Sequence, residues 1–159
     1  MTRTNIPGTS PYEPIIGFSR AVRLGNHIYV SGTGPVGAED ASPAEQTRVA
    51  LNIIKAALEK AGASFEHVYR TRMFLSRVEN WEEIGRAHGE VFGKILPAAT
   101  MVVAPLLNPK WHVEIEADAY IPEVCATADF LTALDKHRLP IRYHWGGTSR
   151  CLPKTWFQR

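Results

Sequence analysis

Cysteine is scarce: only Cys125 and Cys151 occur in 159 residues, without C-x-x-C spacing, so neither a disulfide framework nor a thiolate metal site is expected. No apolar run approaches the roughly 18 residues of a membrane span, and "MTRTNIPGTSPYEP" has no apolar core of a secretory signal. A cytosolic protein with free thiols is the expectation. Repeats of roughly 20 to 50 residues are absent, which excludes a solenoid. Ser31-Gly32-Thr33-Gly34 follows a strand-like stretch but lacks the lysine and spacing of a phosphate loop, and reads as a sheet-end turn. No nucleophile elbow is present. His88-Gly89-Glu90 has the H-x-E form of zinc-dependent base deaminases, yet Pro122-Glu123-Val124-Cys125 supplies no P-C-x-x-C partner. His88 is therefore expected near the core, Glu90 in solvent, and no metal.

What the chain does have is 45% hydrophobic residues, enough for the core of one ordinary domain. Its net charge of +2 is unevenly spread: six basic residues stand against two acidic ones from Val124 on, and 12 against 14 before it. A basic tail can touch nucleic acid, but with no arginine-rich run or stacking motif it reads as solvated, and nucleic acid is not an expected partner. The expected division is an N-terminal arm (1–16), a domain (17–123) and a basic tail (124–159) in which "ATADFLTALDKH" has the period of a short amphipathic helix.

Local signals order the domain. "RAVRLGNHIYVSG" reads as a hairpin turning at Gly25-Asn26. Ser42-Pro43-Ala44-Glu45 supplies a capping serine and a first-turn proline for a helix from about Pro43 to Ala61, stopped by Gly62. "HVYRTRMFLS" alternates as a strand, with Tyr69, Thr71, Met73 and Leu75 on one side and Val68, Arg70, Arg72 and Phe74 on the other. Asn80-Trp81-Glu82-Glu83 has capping-box form ahead of a second helix that turns Trp81, Ile84 and His88 to one side and closes near Gly93. "TMVVAPLL" and "WHVEIEADAYI" are two further strands, separated by Asn108-Pro109. The result is an α+β domain: a mixed sheet with two helices on one face. The other face, with Val68 and Phe74 among its charges, is expected to be covered by other subunits.

"HVEIEADAY" sends Glu114, Glu116 and Asp118 out on one side of the last strand. Pairing with arginines such as Arg70 and Arg72 on another strand is the ordinary account of such a row.

Taken together, "GFSRAVRLGNHIYVSGTGPVG", "AEQTRVALNIIKAALEKAGAS", "RTRMFLSRVENWEEIGRAHGEVFG", "LPAAT" and "VEIEADA" resemble, in order and spacing, the reactive-intermediate deaminase (Rid, YjgF-like) family over roughly Gly17 to Pro122. The resemblance implies a chorismate-mutase-like fold and a homotrimer holding a small-molecule ligand in each cleft between subunits. It implies hydrolysis of reactive enamines and imines, such as 2-iminopropanoate, to the keto acid and ammonia, without metal or cofactor. Glu116 matches the glutamate associated with activating water, which a partly desolvated carboxylate can do as a general base. Phe18, Arg20, Ser31, Gly32, Arg72, Gly85, Ala99, Thr100 and Met101 are the corresponding substrate-binding positions. Three depart from the family pattern: Ala99 replaces the arginine that holds a substrate carboxylate, Phe18 a common aromatic hydroxyl, and Gly85 a common asparagine. Arg72, then Arg20, are the candidate replacement cations. A trimer that binds a metabolite without converting it is the alternative, and the ribonuclease role attached to relatives ranks last.

Overall fold

The computed structural model describes residues 2–123, so the tail with its expected helix and both cysteines lies outside the described residues. Six strands form one sheet in the order β1-β2-β3-β6-β4-β5: β1 (Arg3–Ile6), β2 (Ala21–Leu24), β3 (His27–Thr33), β4 (Val68–Leu75), β5 (Ala98–Val103) and β6 (Val113–Tyr120). Two helices interrupt the chain, α1 (Pro43–Lys60) and α2 (Trp81–Phe92). All pairings are antiparallel except β4 with β5. β6 lies between β3 and β4 and runs against both, so each helix is the crossover between two strands that point the same way.

Local chemistry explains the helix ends. The Ser42 hydroxyl accepts from the Glu45 amide, Pro43 opens α1, and Gly62 takes the positive φ of 82° that ends it. α1 packs on β3, β6 and α2, and the core lies between helices and sheet, from Ile28 and Val30 through Ile54 and Leu58 to Ile84, Val113 and Ile115. His88 stays within this layer, as expected, its Nε2 3.0 Å from the buried Thr71 hydroxyl, while Glu90 pairs with Arg48 in solvent.

The structure corrects several expectations. Within the expected N-terminal arm, Arg3–Ile6 adds an edge strand to β2, and Ile6 joins the core. Ser31–Thr33 continue β3 rather than forming a turn, with a register irregularity between Val30 and Thr33. In β4, pairing to β6 slips at Tyr69, so Val68 faces the core while Tyr69 and Arg70 are both exposed. One extra residue in a strand inverts the parity of everything beyond it. Asn80 ends a short 3₁₀ turn and makes no side-chain cap; its amide meets His112 Nδ1 at 3.2 Å instead, and Trp81 is exposed.

Candidate functional site

Strand register assembles most of the expected site residues into one row across the sheet. Arg72 on β4 stands opposite Glu116 on β6 and Thr100 on β5. Ser31 and Gly32 fall at the β3 irregularity, between the pairs Val30–Ala117 and Thr33–Ile115, which sets them opposite Glu116. The Ser31 amide donates to the Arg20 carbonyl at 3.0 Å and carries the row to the far side. The order Thr100, Arg72, Glu116, Ser31/Gly32, Arg20 lies on the face away from the helices, because the intervening Met73, Ile115, Ala117 and Val30 are core residues.

The row is tied together by charge. Arg72 Nε donates to Glu116 Oε2 at 2.7 Å, and its Nη1 lies 3.5 Å from Asp118 Oδ2. The side chains of Arg72 and Glu116 are each about a third exposed, at 37% and 32%, whereas that of Asp118 retains 11%. The hydrogen bond to Glu116 holds the Arg72 guanidinium above its ordinary range. Arg20 is spent on its surroundings: Nη1 donates to the Gly32 carbonyl at 2.9 Å and to the Thr33 hydroxyl at 2.8 Å. Burial lowers the Arg20 pKa, with Glu13 and Glu114 opposing, and the group remains a cation at any working pH. The Ser31 hydroxyl donates to the Ser19 carbonyl at 2.7 Å.

Replacing Arg72 with Met would leave Asp118 without its cation. An expected loss of about 1–2 kcal/mol, less than for a fully buried pair, would appear as a lower urea midpoint. A double-mutant cycle with Asp118→Asn should show coupling; strictly additive losses would mean the pair contributes nothing.

The remaining positions lie elsewhere in the single chain. Met101 is in register with Met73 and packs on the core, and a Cβ on Gly85 would approach its Cε to 3.8 Å, so these two meet on the helix side. Ala99 is in register with the buried Thr71, on the same side as Met101. Phe18 is half-buried two residues before Arg20. Phe18 therefore stands near the row, and Gly85, Ala99 and Met101 do not. An open cleft of about 410 Å³ lined by Thr4, Arg23, Asn26 and Lys60 contains none of these residues. Among the described residues no three His, Cys, Asp or Glu side chains gather as metal ligands, and no helix is long and apolar enough to cross a membrane.

Glu114 departs from the ordinary account of the acidic row. No described cation lies within ion-pair distance of it, and it leans over Gly32. Asp118 does pair with an arginine, and that arginine is Arg72 rather than Arg70.

The model of the family described as Endoribonuclease L-PSP matches residues 8–121. The chain belongs to this family, the Rid or YjgF-like proteins. A protein of Streptomyces coelicolor is 35% identical over 116 residues, covering 70% of this chain and 87% of its own. A RutC family protein of Pyrococcus abyssi is 33% identical over 68% of this chain and 89% of its own. Among solved structures, Rv2704 of Mycobacterium tuberculosis, a member of the YjgF/YER057c/UK114 family, shares 43% identity at a TM-score of 0.71, over 76% of this chain and 100% of its own. The six-stranded mixed sheet with two main helices is the Rid-family fold.

Proposed function

We propose that this Rid-family chain is a metal- and cofactor-independent hydrolase of a small imine or enamine, acting in the cytosol in clefts between the subunits of a homotrimer. The observation that carries the reading is the Glu116 carboxylate: part-exposed on the face the helices leave open, and held in one orientation by Arg72. Such a group, oriented by a hydrogen bond on one oxygen and free on the other, is equipped to take a proton from water as it attacks a C=N carbon. The same face exposes Tyr29, Tyr69 and Val102, apolar surface that neighbouring subunits would cover while enclosing the row.

A second reading, a trimer that binds a metabolite and releases it unchanged, is favoured by Ala99 and by the engagement of both Arg20 and Arg72 with groups of their own chain. The family's ribonuclease label finds less support, since residues before Val124 carry more acidic than basic groups and the row itself presents carboxylates to a phosphate backbone.

Imines generated in situ by amine and amino-acid oxidases, with ammonia release followed against the spontaneous rate, separate the readings. Saturable acceleration by the purified trimer is expected. Saturable binding of ligand recovered intact, with no acceleration for any imine tried, would replace the hydrolase with the binding protein.

A further inference from the structure

β1 joins the edge of the sheet with Thr4 opposite Arg23 and Ile6 opposite Ala21. Ile6 and Ala21 are core residues, so Thr4 and Arg23 leave the sheet on its helix side, away from the Arg72–Glu116 row. The last turn of α1 reaches the same corner through Lys60 and Ala61, and between helix and strands lies the open cleft of about 410 Å³. Two cations line it, Arg23 and Lys60, together with uncharged donors such as Thr4 and Asn26 and no acid.

Arg23 is held by its own chain. Its Nε donates to the Gly25 carbonyl at 2.9 Å and its Nη1 to the Ala61 carbonyl at 2.8 Å, which ties the hairpin to the end of α1. Meeting a helix's last carbonyls is ordinary for an arginine. It leaves Nη2 with no partner among the described residues. Lys60 is exposed and forms no ion pair with a described residue; the acid beside it, Glu59, is 3.9 Å from Lys55. The carbonyl end of α1 offsets about half a unit charge. Two full positive charges exceed that, so the cleft stays cationic.

We propose that this cleft binds a small aliphatic dianion, a short carbon chain carrying two carboxylates or a phosphate ester. Two cations with no acid between them match two negative charges, and Thr4 and Asn26 can donate to the remaining oxygens. Ile6 and Ala61 offer apolar surface to the carbon chain. No aromatic side chain lines the cleft, so a nucleobase has nothing to stack on. Because Arg23 is already ordered, binding has chiefly Lys60 and the ligand left to order. A ligand here and a ligand at the row occupy opposite faces of the sheet, so the cleft binds its anion whether or not the row hydrolyses imines.

Titration calorimetry of the full chain with succinate and with glycerol phosphate tests this, the two probes separating carboxylate from phosphate. Saturable binding of at least one at millimolar concentration is expected, weakening as salt is raised. Lys60→Gln should weaken it about tenfold and Lys60→Glu about 10²-fold, the scale of losing and then reversing one charge-assisted contact. Lys94→Glu makes the same change in net charge at an exposed position outside the cleft and should bind as wild type does. Arg23→Gln should also lose binding, but it releases the Gly25 and Ala61 carbonyls and lowers stability, so the Lys60 variants decide. No saturable binding of either probe, or equal weakening by Lys60→Glu and Lys94→Glu, would overturn the proposal. So would a response to Glu116→Gln in place of Lys60→Glu, which would put the anion at the row. Tighter binding of adenosine monophosphate than of glycerol phosphate would also overturn it, by showing that a base is recognised and not an aliphatic chain.

Discussion

Glu116→Gln is expected to lower imine hydrolysis by about 10²- to 10⁴-fold, the usual contribution of a positioned general base. The substitution is close to isosteric, and the amide oxygen can still accept from Arg72 Nε, which now lies 2.7 Å from Glu116 Oε2. What it removes is the capacity to hold a proton taken from water. The loss should fall on kcat with KM little changed, because the side chain's shape and its arginine are retained. Stability should stay close to wild type, since Arg72 keeps Asp118 as a partner and the position is part-exposed. Full activity in a folded variant would take Glu116 out of the chemistry.

Local signals made the helices and hairpin legible. Ser42, Pro43 and Gly62 act within a few residues of the bonds they make or end, and Gly25-Asn26 sits between strands that pair with each other. Features that depend on distant partners were not legible. "RTNI" has no alternation of its own and becomes a strand only because β2 offers it an edge. Strict alternation through "HVYRTRMFLS" puts Val68 with Arg70, and only the β6 partner, slipping at Tyr69, returns Val68 to the core. Asn80 has the residue type of a cap, but His112, more than thirty positions away, competes for its side chain.

The candidate site divides in the same way. Resemblance pointed to Ser31, Gly32, Thr100 and Glu116, and register puts them in one row with Arg72. It did not separate Glu114 from its neighbours, because an acid on every second position says nothing about which of them finds a cation. That depends on the bulged backbone of β3 and on the space at Gly32, neither of which the alternation of β6 can express. Gly85, Ala99 and Met101 lie on the helix side, so their joining the row requires a second subunit to bring its own copies to the open face.

Alternation along β6 also allows stability and chemistry to be perturbed one at a time. Ile115, between the two glutamates, is fully buried in the layer shared with the helices. Ile115→Ala removes a branched side chain from the middle of a close-packed core and leaves a space the central strand cannot easily close, which should cost about 2–5 kcal/mol. The urea midpoint should fall with an unchanged slope, since the surface exposed on unfolding is nearly the same. Molecules that remain folded should hydrolyse imine at close to the wild-type rate, because the Arg72–Glu116 pair and the Gly32 recess lie on the opposite face. Glu116→Gln should give the reverse pattern, a stable protein with little turnover. If Ile115→Ala instead abolished activity under conditions where circular dichroism shows a native fold, the two faces would be mechanically coupled, and the row could not be treated as a site resting on an independent scaffold.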